Sequence, residues 1–92
     1  MKAAVFHGKG DLKIEEMETP KIEPGDVLIK VKASAICGTD LHIMAGRYKV
    51  NVPVVIGHEY SGLVEKAGEN TRFAEGDRVI GSPMIPCGSC YY

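Results

Sequence analysis

Alternation of apolar and polar residues with a period of two is the dominant pattern in this chain, and it is typical of half-buried β-strands. The pattern is clearest over residues 26–36, which follow a Pro-Gly-Asp turn signal. One face of this segment would carry the polar residues Lys30, Lys32 and Ser34, with Leu28 and Ile36 as exceptions, and the other would carry Val27, Ile29, Val31, Ala33 and Ala35. We therefore predict a half-buried strand whose polar face points to solvent.

Further short strands are predicted along the rest of the chain. They cover residues 2–6, 12–17, 60–67 and 78–81, and glycine-containing turns at residues 68–70 and 75–77 separate the later ones. The chain contains no internal repeat, low-complexity tract or interdomain linker. Several short strands with regular turn signals indicate a mainly β domain of the barrel or sandwich type.

A single helical segment is predicted, at residues 40–45. Thr39 can serve as its N-cap, and Asp40 would lie in the first turn, where a carboxylate favours the positive end of the helix dipole. Gly46 can end the helix in the left-handed conformation. The helix therefore follows directly after a cysteine.

Two short clusters contain side chains that bind metals. Thiolate, imidazole and carboxylate all suit Zn²⁺, and Cys37, His58 and Glu59 supply one of each. Thr39 and His42 follow the cysteine, and residues three apart share one face of a helix, so we expect both to point to a common place near Cys37. This combination favours a catalytic site over a purely structural one.

Each of these residues also has a structural explanation when it is taken alone. Free cysteines such as Cys37 are commonly buried as small hydrophobic groups. Thr39 is explained by helix capping and Asp40 by the helix dipole. His58 and Glu59 could be a polar pair at the start of a strand. Only the order and spacing of the motifs together distinguish a catalytic metal site from these structural explanations.

Composition and charge exclude several classes of function. The chain has 92 residues, a net charge of −1 and 45% hydrophobic residues, so we expect one small domain with no nucleic-acid partner. Its apolar runs are far shorter than the about 20 residues that cross a bilayer, and residues 1–7 lack the apolar core of a signal peptide. We therefore expect a cytoplasmic protein with no membrane partner, whose three cysteines are kept as thiols rather than disulfides.

Taken together, the motifs resemble those of the zinc-dependent, medium-chain alcohol and polyol dehydrogenases. In chain order they are Cys37-Gly38-Thr39-Asp40-x-His42, Gly57-His58-Glu59-Tyr60-x-Gly62, Glu75-Gly76-Asp77-Arg78-Val79 and Pro86-Cys87-Gly88-Ser89-Cys90. The resemblance extends over essentially the whole chain, and its motifs are specific as a set. It implies an irregular, mostly antiparallel β-barrel of the GroES type, with one short helix after Cys37.

The resemblance also implies a catalytic zinc ion and its ligands. Cys37 and His58 would hold the ion throughout the reaction, and a zinc ion with an open position lowers the pKa of a bound alcohol. Glu59 matches a carboxylate that ligates zinc directly in the sorbitol and L-threonine dehydrogenase branch but only transiently in other branches. Asp40 would lie behind the metal and orient the histidine ligand.

A proton relay and a substrate class follow from the same resemblance. Thr39 would hydrogen-bond the substrate oxygen, since a hydroxyl can donate and accept at once, and His42 would release the proton to solvent. Residues 39–43 are similar to the sorbitol and L-threonine dehydrogenase branch. The implied substrate is a small secondary alcohol, a polyol or L-threonine, with NAD or NADP as the coenzyme.

Cys87 and Cys90 form a C-x-x-C motif, which by itself is compatible with a zinc knuckle or a dithiol redox site. The thioredoxin-like βαβ context of a redox site is missing. In the family that the chain resembles, a third and a fourth cysteine complete a structural four-thiolate zinc site, and the third would fall immediately after Tyr92. We therefore expect half of a structural zinc site here.

The sequence lacks the G-x-G-x-x-G fingerprint of a dinucleotide-binding fold. Residues 1–92 are thus expected to form the GroES-like catalytic domain of a longer dehydrogenase, incomplete at its C-terminal end and without its Rossmann coenzyme domain. That domain would be its partner, the intact parent would be a homo-oligomer, and the 92-residue piece alone would be inactive. A non-catalytic zinc-binding or chaperonin-like barrel is the alternative. A quinone reductase relative is disfavoured, because those proteins lack the zinc ligands.

Overall fold

The computed structural model describes residues 1–90, which form six strands and one helix. In chain order these are β1 Lys2–Gly8, β2 Asp11–Glu16, β3 Val27–Ala35, α1 Gly38–Met44, β4 Val54–Val55, β5 Glu59–Ala67 and β6 Arg78–Ile80. The prediction of mainly antiparallel β structure with one short helix is confirmed. No helix among these residues is long and apolar enough to cross a membrane.

The strands form two three-stranded sheets in which every neighbouring pair is antiparallel. The first sheet has the order β2-β1-β4 and the second has the order β3-β5-β6. The short strand β4 was not predicted. It has two residues, Val54 and Val55, which pair with Phe6 and Val5, so it is defined by a distant partner rather than by a pattern of its own.

The buried apolar core is small and lies mainly on β1, the central strand of the first sheet. Its members are Ala3, Val5 and Phe6 on β1 and Val64 on β5. A domain of this size buries a modest fraction of the surface that its unfolded chain exposes. The described residues therefore leave much apolar surface uncovered.

The prediction that β3 is half-buried along one face is wrong for most of the strand. Val27, Leu28 and Ile29 are half-buried, but every residue from Lys30 onward is exposed, and Val31 is 53% exposed. The pairing of β3 with β5 is irregular at two points, between residues 28 and 29 and between residues 31 and 33. The first leaves Glu65 of β5 without a partner in the register, and the second leaves Lys32 of β3, so only the second shifts the alternation along β3. Residues 30–35 are exposed on both faces because the described residues do not cover this part of the strand.

The start of α1 also differs from the prediction. The helix begins at Gly38, and the N-cap residue is Cys37 rather than Thr39. The Asp40 carboxylate, three residues on, reaches back and accepts a hydrogen bond from the Cys37 backbone N–H at 3.0 Å. This bond satisfies a donor at the helix start with a charged acceptor, and Thr39 lies within the first turn rather than at the cap.

The end of α1 is closed by Gly46, as predicted. Gly46 has a φ of +77°, and its N–H donates to the carbonyl of Ile43 at 3.0 Å, while the next N–H, of Arg47, donates to the carbonyl of His42 at 2.9 Å. These two bonds define a Schellman motif. The N–H of Gly10, in the β1–β2 turn, donates to the carbonyl of Met44 at 3.1 Å and joins the helix end to the first sheet.

Candidate metal centre

The pairing of β3 with β5 brings the two metal-binding clusters together. Ala35, the last residue of β3, pairs with Glu59, the first residue of β5. Cys37 follows β3 and His58 precedes β5, so both side chains come from the same end of this strand pair. One ligand atom from each of Cys37, His58 and Glu59 lies within 4.8 Å of the other two.

Backbone features hold the second cluster against the first. Gly57 has a φ of +109°, in the region that favours glycine, and it turns the chain immediately before the histidine. The Ser34 hydroxyl donates to the backbone carbonyl of Glu59 at 3.2 Å. The backbone on either side of His58, at the start of β5, is thus held in place.

Asp40 is the one charged residue that is buried among the described residues, with an exposed fraction of 5%. Its Oδ2 accepts the hydrogen bond from the Cys37 N–H. Its Oδ1 has no hydrogen-bond partner within the described part of the chain and lies 3.6 Å from Nδ1 of His58. A buried carboxylate oxygen without a partner is costly, so the approach of a proton on His58 Nδ1 would stabilise this arrangement.

The donor set fits a zinc ion on two counts. Two ligand atoms of a tetrahedral zinc ion lie about 3.3–3.8 Å apart, so side-chain movements of up to about 1.5 Å bring Cys37, His58 and Glu59, whose ligand atoms lie within 4.8 Å of one another, onto one ion. Three protein ligands of mixed type leave a fourth position open, which is typical of catalytic zinc. Cys37 and His58 are half-buried and Glu59 is exposed.

The two predicted relay residues occupy different surroundings. The Cys37 thiol donates to Oγ1 of Thr39 at a distance of 3.8 Å, so the structure brings Thr39 to the cluster. His42 makes no hydrogen bond to Cys37 or Thr39 among the contacts of residues 1–90. Its Nδ1 lies 3.0 Å from Nη1 of Arg47.

Arg47 and Tyr48 were missed by the sequence reasoning. The Tyr48 ring meets the His42 imidazole edge-on, with ring centroids 5.6 Å apart and an interplanar angle of 66°. The available signal was the glycine at position 46, because a Schellman motif folds the residue after the glycine back over the last helical turn. His42 is therefore held by the residues that follow the helix.

Cys87 and Cys90 lie outside this cluster, in the exposed segment after β6. A hydrogen bond from the Ser89 backbone lowers the pKa of the Cys87 thiol to about 7, with a further contribution from the Cys90 side chain. The thiolate is the form that ligates metals. The local backbone thus already favours that form at Cys87.

The model of the family described as "Alcohol dehydrogenase GroES-like domain" matches residues 23–92. This chain belongs to that family. Two similar proteins are a sorbitol dehydrogenase of Bacillus subtilis strain 168, at 43% identity, and an L-threonine 3-dehydrogenase of Rhizobium etli strain CIAT 652, at 45% identity. The alignment covers 98% of this GroES-like chain in both cases, but only 27% of the first protein and 28% of the second.

Solved structures of relatives share the fold. An alcohol dehydrogenase from Thermus sp. ATN1 superimposes with a TM-score of 0.89 at 39% identity, over 100% of this GroES-like chain and 27% of that protein. A Sinorhizobium meliloti 1021 protein that is named as a zinc-binding dehydrogenase was solved bound to NADP. It gives a TM-score of 0.88 at 40% identity, over 98% of this chain and 27% of that protein. The resemblance to the alcohol and polyol dehydrogenases is confirmed. The chain spans about a quarter of the length of these relatives.

Proposed function

We propose that this chain holds the catalytic metal of a zinc-dependent dehydrogenase that oxidises a secondary alcohol, a polyol or L-threonine with NAD⁺ or NADP⁺. The observation that carries the proposal is the convergence of a thiol, an imidazole and a carboxylate, from Cys37, His58 and Glu59, beside the Thr39 hydroxyl. The names of the relatives support the substrate class, since sorbitol is a polyol and L-threonine carries a secondary hydroxyl.

When bound, Zn²⁺ would supply Lewis-acid chemistry, which lowers the pKa of a substrate hydroxyl. Cys37 and His58 would hold the ion permanently, with Glu59 as the third ligand. Asp40 would accept a hydrogen bond from Nδ1 of His58, which it already faces, and so leave Nε2 to bind the metal. Partners of this kind fix the tautomer and the ring orientation of a ligating histidine.

Thr39 and His42 would carry the proton away from the substrate. The Thr39 hydroxyl can accept a hydrogen bond from the substrate hydroxyl and donate one onward. His42 is half-buried at the helix end, and histidine can exchange a proton with solvent near neutral pH. Because these two side chains do not touch in the structure, a hydroxyl group or a water would bridge them.

The rest of the active site would come from a longer polypeptide. Ile36 is 81% exposed and Leu41 is 60% exposed, and both lie next to the ligand Cys37 or to Asp40. Apolar side chains beside a catalytic site suit the face of a domain interface, where such sites are common. We propose that a coenzyme domain of the same polypeptide covers this face, that Cys87 and Cys90 supply half of a structural zinc site, and that the intact protein is a homo-oligomer.

The proposal is tested on the full-length protein with sorbitol, L-threonine and a simple secondary alcohol, each with NAD⁺ and NADP⁺. We expect turnover of at least one substrate, loss of turnover in Cys37→Ser, and unchanged coenzyme binding in that variant, because the coenzyme site lies elsewhere. Full activity of Cys37→Ser would rule out the catalytic-zinc assignment. Zinc binding without turnover of any alcohol would favour the non-catalytic barrel.

A further inference from the structure

Arg47 is held against His42 by both its backbone and its side chain. The left-handed Gly46, with φ +77°, turns the chain so that the Arg47 N–H donates to the carbonyl of His42 at 2.9 Å. Nη1 of the same arginine lies 3.0 Å from Nδ1 of His42. Because its backbone and its side chain both contact His42, Arg47 has few alternative rotamers. The contact is therefore part of the C-terminal end of α1.

The chemistry of the two groups fixes the tautomer of His42. A guanidinium has only donors and stays protonated in proteins, so Nδ1 of His42 must be the acceptor in this contact. The neutral imidazole then carries its single proton on Nε2. Since Nδ1 is engaged by Arg47, Nε2 is the ring nitrogen left for any other partner.

The orientation of the ring is fixed by a second contact. The edge-on packing of Tyr48, at 5.6 Å between centroids and 66° between planes, is a favoured geometry for aromatic rings. Arg47 engages Nδ1, and Tyr48 restricts rotation of the ring. Together they favour one orientation and one tautomer of His42 in the resting protein.

We propose that Arg47 is a positioning residue that holds His42 with its proton on Nε2, from where it can be given to the substrate when the carbonyl product is reduced. This inference rests on the proposed function. In that direction the Nε2 proton would pass to the substrate oxygen through the group that bridges His42 and Thr39, and Nδ1 would take up a proton from water as it leaves Arg47. Alcohol oxidation is the reverse: it would begin with the proton on Nδ1, which passes to water as Nε2 accepts one, and it would end in the tautomer that Arg47 stabilises.

The kinetic test compares three variants of the full-length protein. We expect Arg47→Met to lower kcat for reduction of the carbonyl product about tenfold with KM changed less than about twofold, because proton transfer from a positioned group contributes to the chemical step and not to substrate binding. Arg47→Lys should retain most of the rate, since an ammonium group can also donate to Nδ1. Lys49→Met, which removes an exposed cation two residues on, is the matched control and should behave as wild type.

The ¹⁵N shifts of the His42 ring give a measurement that does not depend on turnover. We expect a protonated Nε2 and a hydrogen-bonded, unprotonated Nδ1 in the wild type and in Arg47→Lys, and averaged tautomer signals in Arg47→Met. Unchanged shifts in Arg47→Met, or changed shifts with an unchanged kcat, would overturn the inference. Neither of these outcomes for Arg47→Met bears on the proposed function, which fails only if the Cys37→Ser variant remains fully active.

Discussion

The two oxygens of Asp40 have different partners, and each explains part of the site. Oδ2 accepts the Cys37 N–H at the start of α1, and Oδ1 faces Nδ1 of His58. The sequence predicted either a partner of the helix dipole or an orienting group for the histidine, and the position of the carboxylate is compatible with both. Arg47 could not be anticipated in the same way, because its contact with His42 depends on how the chain turns at Gly46.

Replacing Asp40 tests the link between this carboxylate and the metal. Asp40→Asn keeps the size of the side chain but removes the charge that faces His58, so we expect zinc affinity to fall about 10- to 100-fold. Asp40→Ala also removes the acceptor for the Cys37 N–H, which should cost a further about 1 kcal/mol of stability. Competition with a chelator and urea unfolding measure the two effects. Wild-type zinc affinity in Asp40→Asn would show that Asp40 serves the helix alone.

The lowered pKa of Cys87 predicts a reactive thiol in the zinc-free protein. The pKa falls to about 7 because hydrogen bonds from the Ser89 backbone and the Cys90 side chain favour the thiolate, so the thiolate is populated above about pH 7 and is lost below it. We expect the alkylation rate of Cys87, followed by mass spectrometry, to rise with a midpoint near this pH. In Cys90→Ala the midpoint should move upward. A wild-type midpoint near the ordinary cysteine value would contradict the arrangement.

At the scale of elements, the strong patterns predicted which segments are strands, but not how those strands are covered. The alternation in β3 located the strand, but the described residues do not cover its second half, so the face that was predicted to be buried is exposed over residues 30–35. Strand β4 consists of Val54 and Val55 and exists through its pairing with β1. Helix α1 was located within two residues, but it begins at Gly38, so Cys37 is the N-cap and Thr39 lies within the first turn.

The close approach of β3 and β5 predicts a position where only glycine fits. A Cβ on Gly62 would overlap the backbone carbonyl oxygen of Lys30, so we expect Gly62→Ala to lower the free energy of unfolding by about 3 kcal/mol. Gly38→Ala is the matched control, because a Cβ there has no heavy atom within 4 Å and alanine is the better helix former. Urea unfolding of both variants in the full-length protein checks this. Equal stabilities would show that the strands separate easily at this point.

At the scale of the whole molecule, the site could be predicted better than the packing around it. Cys37 lies close to Thr39 and Asp40 in sequence, and His58 is next to Glu59, so only one strand pairing had to be right for these residues to meet. The packing depends on contacts that local patterns do not encode. Its buried apolar set has only Ala3, Val5, Phe6 and Val64 among residues 1–90, which suits a domain that is stabilised by further parts of a longer polypeptide.

This arrangement predicts a clear difference between the 92-residue chain and the full-length protein. We expect the chain alone to show no NAD- or NADP-linked alcohol oxidation, because hydride transfer needs a bound coenzyme and the dinucleotide-binding fingerprint is not in its sequence. The full-length protein should oxidise the same substrate under the same conditions. Turnover by the purified chain alone would contradict the proposed division of the active site.

The most direct test of the metal centre is a crystal structure of the zinc-loaded full-length protein with anomalous data collected at the zinc absorption edge. We expect an anomalous peak about 2.3 Å from Sγ of Cys37, about 2.0–2.1 Å from Nε2 of His58 and about 2.0–2.2 Å from a carboxylate oxygen of Glu59. Zinc bound only elsewhere, with no peak in contact with Cys37 and His58, would contradict the account.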